Sequence, residues 1–210
     1  MNISNFRKEY KRNRLSEDNI FKNPFDQFEK WFSELLKEEV DEPNAMFVAT
    51  SQDNIPNCRT VLLKEFSDKG FIFFTNYKSQ KGIELDTNNH ISLLFFWKEL
   101  ERQVRIRGNA KKIAEKLSEK YFRKRPFESQ LASFISQQSK QVRDRNEILE
   151  KYEAAKLIYK DNEVPMNKDW GGYLVIPYYF EFWQGGLHRL HDRIVYSLDN
   201  GEWTISRLSP

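Results

Sequence analysis

Cys58-Arg59-Thr60-Val61-Leu62-Leu63-Lys64-Glu65-Phe66, then Ser67-Asp68-Lys69-Gly70, then Phe71-Ile72-Phe73-Phe74-Thr75, is the stretch on which the fold turns. β-Branched and aromatic residues crowd both runs, and the quartet between them is turn chemistry, so they read as antiparallel strands. Ala45 to Thr50 adds a third, adjacent strand upstream. Ile91 to Trp97 is apolar but for Ser92, as expected of a strand buried on both faces, and Gln103 to Gly108 alternates Val104 and Ile106 with polar residues. The C-terminal third returns to strands at Gly172 to Trp183, Arg189 to Leu198 and Glu202 to Arg207. The last two are joined across Asn200-Gly201, a strong hairpin signal.

Helical patterns fill the gaps. From Pro24 to Glu39, with Asn23 as N-cap, the residues Phe25, Phe28, Trp31, Phe32, Leu35 and Leu36 form one apolar stripe. Ala114 to Lys124 reads as a second helix that stops ahead of Pro126, and Ser129 to Ser136 and Asp144 to Tyr159 as two more. The expected fold class is α+β, an antiparallel sheet curled into a barrel with surrounding helices. Residues 1–20 read as an arm and 21–210 as one domain, because no repeat or linker marks a boundary.

Composition narrows the function. The chain has 210 residues, 39% hydrophobic and 31% charged, and no apolar run approaches the roughly 20 residues of a membrane-spanning helix. Met1 to Leu15 is basic and polar without the apolar segment of a secretory signal, so a soluble, cytoplasmic protein is expected. Cys58 is the single cysteine and there are three histidines, which leaves little for a metal site. The net charge of +3 balances 34 bases against 31 acids and does not argue for nucleic acid. Several bases do fall inside apolar, strand-like stretches, where burial is costly unless an anion meets them.

Three constellations could hold such an anion. Strand periodicity would put Arg189, His191 and Arg193 on one face, after the flat ring and permissive backbone of Trp183-Gln184-Gly185-Gly186. A solvated strand face is the alternative. Arg59 and Lys64, with the later Thr75-Asn76-Tyr77-Lys78-Ser79-Gln80-Lys81, put hydroxyls, amides and lysines at a strand-to-helix junction that suits phosphate, or make an ordinary polar loop. Tyr121 and Arg125 share a face if helical geometry persists to Arg125, and with Ser129 they could clamp a phosphate, or merely end a helix. Arg59 and Lys64 are five apart, on opposite faces of a regular strand, so joint use of both requires an irregularity between them.

Taken together, Arg59 to Lys64, Phe74-Thr75-Asn76, Glu101-Arg102-Gln103-Val104, Tyr121-Phe122, Arg125-Pro126, Ser129-Gln130, Gln138-Ser139, Trp170-Gly171-Gly172 and Glu181-Phe182-Trp183-Gln184-Gly185 leading into Arg189 to Arg193 resemble the pyridoxamine 5′-phosphate oxidases nearly end to end. The resemblance implies an FMN-binding split β-barrel of Greek-key type, a homodimer with FMN between subunits, and O2-dependent oxidation of pyridoxamine or pyridoxine 5′-phosphate to pyridoxal 5′-phosphate. Hydrogen peroxide is released, with ammonia from the amine. It assigns FMN to Arg59, Val61, Leu62, Leu63, Lys64, Phe74, Thr75, Lys81, Gln103, Gln138, Ser139, Trp183 and Arg193. It assigns the vitamer to Lys64, Tyr121, Arg125, Ser129, Arg189, Leu190 and His191, with Arg7, Lys8, Glu9 and Tyr10 as a flap, and catalysis to Arg189 and His191. One position departs: Gln80 stands where the family carries Arg, so a flavin phosphate contact is either lost or supplied by Lys78 or Lys81. Two further readings are a flavin reductase on the same barrel and a barrel that stacks single-stranded nucleic acid.

Overall fold

The computed structural model describes residues 1–210. Its strands are β1 (Ala45–Gln52), β2 (Ile55–Leu62), β3 (Glu65–Ser67), β4 (Gly70–Asn76), β5 (His90–Trp97), β6 (Arg102–Lys112), β7 (Trp170–Gln184), β8 (Asp192–Asp199) and β9 (Glu202–Leu208), all paired antiparallel. Hydrogen bonding runs β2-β1-β5-β6-β7-β4-β3. The two ends of that path are consecutive in the chain, separated only by Leu63 and Lys64, so the sheet closes on itself. At the join the Leu63 amide donates to Asn44 O at 2.8 Å and the Lys64 amide to Ile72 O at 2.8 Å. One strand therefore abandons β1 and takes up β4 within two residues, which is the irregularity expected between Arg59 and Lys64. The expected adjacency holds, since β2 and β3 are the two halves of one bent middle strand, the first paired with β1 and the second with β4.

β7 splits the barrel. Its first half, Trp170 to Val175, pairs with β4, and its second half, Tyr179 to Gln184, pairs with β8 on the same edge. The register with β6 slips between Arg107 and Gly108, where Tyr178 is the extra residue. A bulge of this kind bends the strand and lets it change partners. β8 and β9 then form a hairpin through Asn200 and Gly201, at φ 48° and 86°, the left-handed pair a two-residue turn demands.

The barrel is filled by aromatics. Helix α1 (Pro24–Leu35), begun by Asn23 accepting from the Phe25 amide at 2.9 Å, lays its stripe over one end. Phe28 is fully buried, its ring 4.9–5.8 Å from those of Phe32, Phe66, Phe71, Phe95 and Trp97. A smaller cluster around Phe122, Leu131, Ala155, Val164 and Trp170 joins the helices to the start of β7. Those helices are α3 (Glu115–Arg123), α4 (Phe127–Ile135) and α5 (Arg145–Tyr159); α2 (Gln80–Thr87) follows β4.

Three expectations need correcting. β5 alternates in burial and leaves Phe96 48% exposed, so within one chain it is covered on one face only. The first helix ends at Leu35 and continues as a tighter turn over Leu36–Glu38. The strand expected from Arg189 begins only at Asp192, because Leu187–Arg189 forms a short turn with His188 and Arg189 at positive φ, 53° and 63°. The row Arg189, His191, Arg193 is therefore not one strand face.

The N-terminal residues run extended along the barrel to the C-terminal hairpin. Arg207 bonds Glu17 at 2.8 Å, Asp192 at 2.6 Å and the Leu15 carbonyl at 2.9 Å, while the Leu15 amide donates to Asp192 at 2.9 Å.

Replacing Phe28 with Ala removes the ring on which five others pack. Phe28→Ala is expected to cost about 3–5 kcal/mol of unfolding free energy, read from the denaturant midpoint. A loss below about 1 kcal/mol would mean that the barrel end collapses around the gap.

Candidate functional site

The strand switch delivers Thr60 to Lys64 to the mouth of a cleft between β2, β4 and the helices. Two adjoining cavities of about 300 and 400 Å³ share Phe74, Arg125 and Trp170. The first is lined by Thr60, Val61, Thr75, Asn76, Lys81 and Gln138, the second by Leu62, Lys64, Tyr121, Lys124 and Ser129. Phe74, Tyr121 and Trp170 stack nearly parallel, with centroids 4.0 Å (Phe74 to Tyr121) and 5.2 Å (Phe74 to Trp170) apart. The Arg125 guanidinium lies 4.9 Å from the Trp170 ring and donates to Ser133 Oγ at 2.5 Å. Beyond α3, the Lys124 and Arg125 amides bond back to Tyr121 O and Phe122 O at 3.1 Å each. The helical turn thus persists far enough to bring Tyr121, Arg125 and Ser129 together.

Lys81 is the unusual group. It is 7% exposed, and its ammonium donates to Thr75 Oγ1 at 3.0 Å and, at 3.4 Å, to Ser79 Oγ and Gln138 Oε1, all neutral. The nearby carboxylate, Glu84, is taken by Arg59 at 3.2 Å, by Thr50, and by Asn57 at 2.6 Å. Burial first, then the charge of Arg59, pushes the Lys81 pKa down to about 8, against the pull of Glu84. Burial would raise the Glu84 carboxyl, but donation from Thr50, Gln80 and Arg59 outweighs it and holds the group below the usual carboxylate range. Gln80 spends its side chain on Glu84 at 2.9 Å, and the Lys78 side chain is exposed, so Lys81 is the lysine that faces the cavity. Gln138 and Ser139 brace this wall, Gln138 accepting from Thr75 at 3.0 Å and Ser139 from the Gln80 amide at 3.2 Å. Leu63 is buried in the barrel core and does not line the cleft.

The other candidates gather elsewhere. Gln103, Trp183 and Arg193 are in register across β6, β7 and β8. Arg193 is held by Glu181 at 2.8 Å, which also pairs with Arg105 and accepts from Tyr179 at 2.9 Å. His191 lies 4.7 Å from the Trp183 ring and accepts at Nδ1 from the Gly186 amide at 3.1 Å, which leaves its proton on Nε2. Burial, then the charge of Arg189, lowers its pKa against the opposing pull of Asp192. Arg7, Lys8, Glu9, Tyr10, Arg189 and His191 line a pocket of about 500 Å³, with Leu190 exposed beside them.

The sequence suggests one site, yet within a chain there are two. Trp170 lies in the first cluster and Trp183 in the second, 13 residues apart on β7, about 43 Å of strand contour at ~3.3 Å per residue. The pocket of the second cluster shares no lining residue with either cavity of the first. The roles of the holding residues Glu84 and Glu181 and of the second wall, Trp170 with Ser133, escape sequence reading. Glu181 and Trp170 stand there only inside the motifs of the resemblance, with no part in the site assigned to them.

A closed barrel whose seventh strand serves two partners, with a cationic, aromatic-walled cleft on one side, defines a split-barrel protein. Residues 32–159 match the family model for pyridoxamine 5′-phosphate oxidase, and residues 170–210 match that for the pyridoxine 5′-phosphate oxidase C-terminal dimerisation region. The chain is 47% identical over its full length to pyridoxine/pyridoxamine 5′-phosphate oxidase 2 of Hydrogenovibrio crunogenus, covering 99% of that protein. Among solved structures it is similar to PhzG from Burkholderia lata in complex with tetrahydrophenazine-1-carboxylic acid, with a TM-score of 0.89, 27% identity, and coverage of 94% of this chain and 98% of that one. It shares its fold with a pyridoxamine 5′-phosphate oxidase-related, FMN-binding protein of Nostoc punctiforme, at a TM-score of 0.71, 13% identity, and 90% and 98% coverage. The chain belongs to the pyridoxamine 5′-phosphate oxidase family of enzymes. No helix is long and apolar enough to cross a membrane.

Lys81 yields a pH test. Between about 8 and the ordinary lysine value of 10.5, the unfolded chain binds the proton that the folded chain has lost. Unfolding free energy from this group therefore rises with pH across that window. Lys81→Met is expected to stabilise the ligand-free protein at pH 7, with the gain shrinking as pH climbs through the window. An equal gain at both ends, in paired denaturant melts, would show that the folded-state lysine titrates normally.

Proposed function

We propose that this chain oxidises pyridoxamine or pyridoxine 5′-phosphate to pyridoxal 5′-phosphate with bound FMN and O2. It does so as a homodimer in which the cleft of one chain meets the Trp183–Arg193 cluster of its partner. The observation that carries the reading is the convergence of Lys64, Tyr121, Arg125 and Ser129 on one cavity, beside a buried ammonium without a free counter-ion. The residues fit the flavin: Lys81, Thr75 and Gln138 would hold its phosphate, and Val61, Leu62 and Phe74 would border its flat body. Arg59 would act through Glu84, keeping that carboxylate away from Lys81. When bound, FMN supplies the two-electron acceptor for the substrate carbon and passes the electrons to oxygen as peroxide.

Protein groups supply the rest. Lys64, Arg125, Tyr121 and Ser129 would anchor the vitamer phosphate with charge-assisted bonds, so that remote binding energy orients the ring. Arg189 and His191 would orient the polar substituents, with neutral His191 able to take a proton through a nitrogen freed by rotation or to donate from Nε2. Trp183 and Gln103 would complete the flavin wall, with Arg193 fixed by Glu181. Two features support the dimer: the match to a dimerisation region and the outward Phe47 and Phe96, 43% and 48% exposed on the β1–β5 face. Residues 7–10 are proposed as a flap and residues 21–210 as one domain. The protein is proposed to work in the cytoplasm.

The test is anaerobic bleaching of the flavin absorbance by pyridoxamine 5′-phosphate and its recovery in air. Bleaching by reduced nicotinamide alone would favour a flavin reductase, and a colourless protein after FMN addition would remove the cofactor. With the oxidase in hand, Arg189→Ala and His191→Ala are expected to lower turnover by at least about 100-fold with FMN retained. Arg193→Ala is expected to weaken flavin retention as well. Unchanged turnover in the first two would refute their roles.

A further inference from the structure

Glu101 closes the β5–β6 hairpin in a conformation its own backbone does not favour. It sits at φ 56° in the left-handed region, where a four-residue turn ordinarily calls for Gly or Asn, and it is 5% exposed. A glutamate there answers to its side chain. Its Oε2 accepts from the backbone amides of Lys11 at 2.9 Å and Arg12 at 3.0 Å, and its Oε1 pairs with the Lys8 ammonium at 3.1 Å. Every one of these partners belongs to the N-terminal arm. The carbonyl of the same residue accepts from the Gly185 amide at 2.8 Å and the Gln184 side chain at 3.2 Å, at the mouth of the Trp183–His191 cluster.

Between those attachments lies Tyr10. Its ring is edge-on to Trp183 at 5.6 Å and to His191 at 5.8 Å, and it packs so closely on Gly185 that a Cβ there would stand 2.7 Å from Tyr10. We infer that Glu101 is a positioning residue: by holding Lys8, Lys11 and Arg12 on one side and Gly185 on the other, it seats Tyr10 as a wall of the pocket that carries Arg189 and His191. The inference rests on the proposal that this pocket completes the vitamer site. The anchor is a buried carboxylate satisfied by the arm, so the arm cannot lift without giving up three charge-assisted bonds at once.

The experiment uses the full-length, FMN-loaded protein and the substitutions Glu101→Gln, Tyr10→Ala, the two combined, and Lys8→Ala. Trypsin cleavage after Arg7, Lys11 or Arg12, the sites common to all the variants, reads the population of lifted arm. Glu101→Gln is expected to raise the cleavage rate about tenfold, with flavin content unchanged. KM for pyridoxamine 5′-phosphate is expected to rise by a similar factor, with kcat within about twofold. In the Tyr10→Ala background, Glu101→Gln should change KM little further, because the residue it positions is gone. Lys8→Ala, which cannot disturb the barrel, should shift cleavage and KM the same way by about threefold. Wild-type trypsin resistance in Glu101→Gln would overturn the tether, as would wild-type resistance in Lys8→Ala should Glu101→Gln fail to fold. Faster cleavage with unchanged KM, or full additivity with Tyr10→Ala, would overturn the positioning role. A wild-type protein that does not turn over the vitamer would sink the proposed function instead, and the trypsin rates would still decide the tether.

Discussion

Two residues, Leu63 and Lys64, carry the strand from one partner to another, and the architecture hangs on that change of allegiance. A sheet with free ends exposes unpaired amides and carbonyls; here both ends belong to one bent strand, and closure satisfies them. The bend also sets the cleft. Val61 and Leu62 remain paired with β1 while Lys64 bonds to β4, so Val61 lines one cavity while Leu62 and Lys64 line the adjoining one.

The electrostatic plan repeats one device. Buried carboxylates, Glu84, Glu101 and Glu181, each collect basic side chains or amides around a point the site needs to keep rigid. In all three, burial pushes the carboxyl pKa up and the donors more than reverse it, so each stays ionised. Lys81 is left outside this scheme with neutral partners, which is why the proposed function gives it an anion from elsewhere.

Much of this was legible beforehand. The Asn200-Gly201 turn, the α1 stripe from Phe25 to Leu35 and the paired strands around Ser67-Asp68-Lys69-Gly70 follow from local chemistry, and the structure has them, although Leu36, expected in the stripe, is exposed. The grouping of Tyr121, Arg125 and Ser129 was readable from helical spacing, because the break at Pro126 is short. The Arg189–Arg193 row was misread because periodicity carries no sign that His188 and Arg189 take positive φ and delay the strand. The anchoring role of the three glutamates was hidden, for Glu101 and Glu181 even though they stand in motifs of the resemblance, since burial is a property of the closed barrel and not of any local pattern. The separation of the two clusters was equally invisible, because it depends on β7 being long enough to span the barrel.

The clamp of Arg207 on Glu17, Asp192 and Leu15 has a consequence for synthesis. Its partners lie up to 192 positions apart in sequence, so residues 15–17 lack their clamp until the end of the chain is made, long after Glu101 is there to hold residues 8–12. The β1–β6 portion can pair as it emerges, but β7 must arrive before the barrel closes, and the last hairpin before residues 15–17 find their place. The nascent protein thus passes through a stage with a formed sheet and residues 15–17 still unclamped. The final locking step waits for residue 207, and a chain that stalls short of it would be open to proteolysis around those residues.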